Sequence, residues 1–141
     1  MERLHPSIRI VLAILAGMLS GGMLNLFIVN FGHMLIPPPA GVDLTTTEGL
    51  LAAMPMMEPR HFLMPWLAHA LGTLLSAFVA CRLANNHFRR ISIGLGVWNM
   101  VGGLLMIIAV PGPLWFTLID IVLAYLPFGW LGGRLAVGKE F

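Results

Sequence analysis

Charge is what this chain has least of. Only 10% of its 141 residues are Asp, Glu, Lys or Arg, where a soluble domain carries about a quarter. Beside 58% hydrophobic residues, that shortage excludes an ordinary soluble fold and points to an integral membrane protein. Cysteine is nearly absent as well. The single Cys81 excludes an intrachain disulfide and any multi-cysteine metal site, and it reads as a small apolar filler at a span end. No Gly-rich phosphate loop, Cys-x-x-Cys, His-Glu-x-x-His or nucleophile elbow occurs, so the usual enzyme signatures are missing. The net charge of +2 comes from scattered residues at span ends. It reports topology, and no nucleic-acid partner is expected.

What the chain does have is long apolar runs. A span needs roughly 20 apolar residues at about 1.5 Å rise each. Four runs qualify, about 8–36, 62–84, 91–110 and 114–135, with an external loop at 37–61, all in a single transmembrane domain, 1–141. The first run is about twice the roughly 7–15 residues of a signal-peptide core, so it reads as a retained span. Pro37-Pro38-Pro39 stops it, because proline lacks an amide hydrogen and disfavours helix in the preceding residue. Within the loop, Thr45-x-x-Glu48 has the capping-box pattern and predicts a short helix that Pro55 ends, lying at the membrane surface. The fold class is therefore an all-α membrane four-helix bundle of two helical hairpins.

Four spans put both termini on one side. Arg3, Arg9, Arg82, Arg89, Arg90, Arg134 and Lys139 then share that side and only Arg60 lies opposite. That bias places the termini in the cytoplasm. A tandem repeat is also legible: Asn25 precedes Pro37, and Asn99 precedes Pro111, by the same twelve residues, and Arg-Leu-Ala closes both the second and fourth spans. Short matches among Gly, Leu and Ala are cheap in apolar helices, so the repeat stands against coincidence. Gly17-x-x-x-Gly21 and Gly129-x-x-x-Gly133 let backbones approach closely in lipid, and they offer faces for a homo-oligomer.

Two ionisable residues sit deep inside spans, away from their ends. His69 precedes Arg82 by thirteen residues and Asp120 precedes Arg134 by fourteen, which puts both about 20 Å from the cytoplasmic arginines by helix rise. A carboxylate at that depth costs about 2.5–3.5 kcal/mol on insertion scales, so it faces the bundle interior with a partner. No Lys or Arg lies so deep. His69 is the titratable candidate, with Asn25, Asn99, Thr73, Ser76 and Tyr125 as hydrogen-bonding groups along a substrate or ion path. A His69–Asp120 pair can hold a proton that moves with pH, or it can be a polar clasp that fixes helix register. Both readings stay open.

A second grouping lies at the outer mouth, where Met54, Met56, Met57 and His61 fall close in sequence and His33 approaches the same surface. Thioethers and imidazoles suit Cu(I), but methionine is also a flexible apolar filler, and no deeper methionine cluster stands ready to pass an ion on. No metal and no cofactor are expected.

The run GHMLIPPPAGVD, then EPRHF, LAHALGTLLSAF, and the PGPLWF turn with LIDIVLAY resemble small four-span bacterial inner-membrane proteins of unassigned activity, over nearly the whole chain. The resemblance implies the architecture and a bacterial inner-membrane setting, and it carries no substrate and no site residue. The residues themselves favour a small transporter or channel for a proton, cation or small solute, with Asp120 as charged site. The alternatives are a non-catalytic subunit or scaffold of a larger membrane complex and, third, an intramembrane enzyme. The expected partners are the lipid bilayer and either copies of the chain or another membrane protein.

Overall fold

The computed structural model describes residues 5–141, which are helical apart from turns and one loop. Four helical rods are long and apolar enough to cross a bilayer, Pro6–Leu35, Pro59–Leu83, Phe88–Ala109 and Leu114–Glu140, and they are compatible with a membrane protein. The first is α1 (Pro6–Leu35), which opens on Pro6 where the missing amide costs no bond. A short α2 (Thr47–Ala53) lies in the loop, followed by α3 (Leu63–Leu83) and α4 (Phe88–Ala109). The last rod is α5 (Leu114–Ile119) and α6 (Leu126–Val137), joined through a π-helical turn at Asp120–Ala124.

The axis of the bundle is α3, which packs against α1, α4 and α6. Small side chains allow this. A Cβ on Gly21 would meet the Gly72 carbonyl oxygen, and one on Gly17 the Ser76 carbonyl oxygen, so α1 lies backbone to backbone along α3. Gly129 likewise abuts the Ser92 carbonyl of α4, and Gly133 the Ser92 side chain. The glycine faces that the sequence offered for association between copies are thus consumed within one chain. Both expected hairpins pair, α1 with α3 and α4 with α6, though their surroundings differ: α4 also reaches α3, whereas α1 lies along α3 almost alone.

Arg9 Nε donates to the Leu83 carbonyl at 2.8 Å and Arg82 Nη1 to the Ala136 carbonyl at 3.3 Å. These are helix C-terminal carbonyls that lack intrahelical donors and favour positive charge. The contacts gather the start of α1 and the ends of α3 and α6 at one end of the bundle, the terminal end, above which Ala13, Ala80, Ile91 and Leu95 pack closely. The loop end lies opposite. Around the circumference large apolar side chains such as Leu19, Met23 and Ile108 are exposed, while Thr73, Ser76, Ser92 and Asp120 are buried. That inverts the usual soluble pattern and fits a lipid surround.

The loop corrects one expectation. Thr46, not Thr45, caps α2, its hydroxyl accepting from the Gly49 amide at 3.0 Å. Thr45 is already committed, because its hydroxyl and amide both donate to Asp43 Oδ1, at 2.6 and 2.8 Å. The residue three beyond the cap is then a glycine, and Glu48 closes no box. Farther on, the Glu58 amide donates to His61 Nδ1 at 2.9 Å and Glu58 pairs with Arg60 at 3.1 Å, which fixes the entry into α3.

Candidate functional site

His69 and Asp120 meet. His69 Nδ1 lies 2.8 Å from Asp120 Oδ1 and 3.0 Å from Oδ2, and the Tyr125 hydroxyl donates to Oδ2 at 2.8 Å while lying 3.0 Å from the same Nδ1. Asp120 and Tyr125 are each 1% exposed, and the two rings stack with centroids 5.6 Å apart. An isolated carboxylate in so dry a place would be very costly. Here both of its oxygens are bonded.

The π-helical turn makes this possible. In an α-helix, residues five apart diverge by about 140° around the axis, so Asp120 and Tyr125 would point to different sides. An i→i+5 turn brings them over one another. Pro127 gives the reason for a break just there: it has no amide to offer the Leu123 carbonyl, and its ring crowds that oxygen. On the facing helix, Gly103 supplies room, since a Cβ there would collide with the Tyr125 hydroxyl.

The network assigns the proton positions. Tyr125 donates to the carboxylate, so one further proton sits between Nδ1 and Oδ1, and the assignment follows from these bonds rather than from observed hydrogens. With Nδ1 engaged, the other ring nitrogen, Nε2, carries the lone pair of the neutral ring. Among the described residues no group bonds Nε2. The side chain is 22% exposed, and His69 and Asp120 form part of the wall of a cavity of about 230 Å³ at the loop end. Val29, Phe62, Met106, Ile107 and Phe116 give it apolar sides, and no Lys or Arg lines it.

The sequence-derived residues divide around this cavity. His33, Met54, Met57 and His61 line its loop-side part, whereas Met56 is half exposed and turned away. Among the described residues no three His, Cys, Asp or Glu side chains stand close enough to share a metal ion, and His61 has spent Nδ1 on the Glu58 amide. Asn25 lies against Gly72, and the Asn99 amide donates to the Leu95 carbonyl of its own helix at 2.8 Å; neither lines the cavity. Thr73 and Ser76 lie below His69 on α3, about 6 and 10 Å along the axis. Both are 1% exposed and their hydroxyls bond no protein group.

Three contributors escaped sequence reasoning: the π-helical turn, Gly103, and the aromatic walls Phe62 and Phe116, whose rings lie 4.8 Å apart. Pro127 within an apolar run was the available signal for the first. No protein-family model, curated protein or solved structure matches the chain, so the site is argued from its own geometry.

Proposed function

We propose that the chain is a small transport protein of the bacterial inner membrane, with both termini in the cytoplasm, that moves a small solute linked to a proton. One observation carries this: the buried carboxylate among the described residues is joined to an imidazole at the wall of a cavity reached from the loop end. Ionisable groups inside apolar spans mark proton relays and substrate routes. His69 is the relay because it offers a proton-accepting nitrogen to the cavity while Asp120 and Tyr125 hold its ring. Thr73 and Ser76, with hydroxyls that lack protein partners, continue the route toward the terminal end. Any assembly with further copies would use faces other than Gly17/Gly21 and Gly129/Gly133, which are filled.

The test is proton flux into liposomes containing the purified protein, beside Asp120→Asn and His69→Ala variants that retain the wild-type thermal transition. Flux in the wild type that both folded variants lose supports the reading. Equal flux in all three removes it.

A rival reading, a non-catalytic subunit of a larger membrane complex, draws on α1, which packs along α3 almost alone and exposes Asn30 on its outer face. Stoichiometric copurification of a second chain in mild detergent would favour it. An intramembrane hydrolase has less support, because Ser76 lies about two turns from His69 and bonds no imidazole.

A further inference from the structure

We infer that the loop-end cavity binds a small lipophilic ammonium ion, its N–H aimed at His69 Nε2 and its charge set against Asp120. The inference rests on reading the cavity as a solute site, and it does not depend on transport.

Charge selects the class. Asp120 is the one formally charged side chain in the wall, and no Lys or Arg stands there to receive an anion. Burial leaves the carboxylate little water to screen it, so a cation entering the cavity meets an attraction that solvent would otherwise weaken. The remaining wall does not suit a hard inorganic cation. Such an ion needs several oxygen ligands, and besides the Thr117 hydroxyl the cavity offers one carboxylate whose two oxygens already accept from His69 and Tyr125, among aliphatic, thioether, imidazole and aromatic groups; among the described residues no three His, Cys, Asp or Glu side chains gather around one ion. An organic cation has what this wall can hold, with a donor head and an apolar body.

Hydrogen-bond polarity selects the head. With Nδ1 donating to Asp120, a neutral His69 ring keeps its acceptor at Nε2, in a side chain that forms part of the cavity wall. A primary or secondary ammonium carries N–H donors for that acceptor, whereas a quaternary one carries none. The body has a size limit as well. A dry 150 Å³ cavity accommodates benzene, so about 230 Å³ takes one ring with a short chain. Phe62 and Phe116 line the cavity and give such a body aromatic partners.

The arrangement gives the ligand and a proton the same seat. Protonated at Nε2, His69 would present a donor and a positive charge where the ammonium needs an acceptor. The other titratable groups facing the cavity are His33 from α1 and His61 from the entry to α3, while α4 contributes none.

The experiment is calorimetric titration of the purified full chain in mild detergent with three probes of matched shape: 2-phenylethylammonium, neutral 2-phenylethanol and anionic 3-phenylpropionate. The expected result is saturable binding of the ammonium at least about tenfold tighter than the alcohol, the margin of a charge-assisted bond over a neutral one, with the carboxylate weakest. Folded Asp120→Asn should bring the ammonium down to the level of the alcohol. Equal or tighter binding of the alcohol or the carboxylate overturns the inference, as does the absence of saturable ammonium binding. The wild-type ranking decides even if the variant fails to fold. Ammonium binding without proton flux would sink the transport reading alone, and flux without ammonium binding would sink this one alone.

Discussion

The two ends of the bundle are built from the same apolar alphabet and differ in how they close. At the terminal end, small residues of α1, α3 and α6 bring backbones together, Arg9 and Arg82 cover helix carbonyls, and the space left lies in open surface clefts. Toward the loop end, larger side chains and the π-helical turn hold the rods apart around about 230 Å³ of cavity with a carboxylate in its wall. Close packing at one end supplies a rigid frame, and the frame is what lets the other end keep a buried charge in fixed geometry. On the proposed reading the first end supplies stability and the second the chemistry.

That division can be broken by Gly17→Leu, whose side chain would meet the Ser76 carbonyl and the Ala80 side chain of the terminal-end core. The expected loss is about 3 kcal/mol, at the upper end for overpacking, read by SDS titration of the detergent-solubilised protein. The matched control is Gly22→Leu on the outer face, where a Cβ meets nothing within 4 Å; its change should stay within about 0.5 kcal/mol.

Tyr125→Phe sharpens the comparison from the other end. It removes the donor to Asp120 Oδ2, at an expected cost of about 1–2 kcal/mol, and it should reduce proton flux far more than Gly22→Leu does. A smaller effect, about 1 kcal/mol, is expected for Thr46→Ala, which uncaps α2; hydrogen exchange should rise across 47–53 and leave α3 unchanged.

The smallest effect is a pH dependence at Asp43. The Thr45 hydroxyl, and then its amide, bond Asp43 and hold its carboxyl below the usual carboxylate range. A depressed folded pKa stabilises above the unfolded value and is lost as pH falls through the folded one. Protection of the Thr45 amide should therefore fade on acidification below the ordinary carboxylate range, while the Gly49 amide, bonded to a hydroxyl, keeps its own.

Much of this was legible in the residues. Length and hydropathy alone mark the four rods, and the depth count from Arg82 and Arg134 sets His69 and Asp120 at one level without reference to packing. Tyr125 was named as a donor, though its route to Asp120 was not visible, because five-residue spacing on a regular helix separates the two. The asparagines misled for a related reason: Asn99 satisfies itself on its own helix carbonyl, an option that residue type does not reveal. Gly17 and Gly21 showed that a close approach exists without saying to which helix. The cap at Thr46 was displaced by one residue because Asp43, outside the pattern, claimed Thr45.

The most direct test of the central claim plugs the cavity and leaves His69, Asp120 and Tyr125 intact. Proton flux into liposomes should be measured for folded Ile107→Trp, which fills the loop-end cavity, beside Gly22→Trp on the outer face. The account predicts that the first falls to the protein-free background and the second matches the wild type. Undiminished flux through the plugged protein would contradict it.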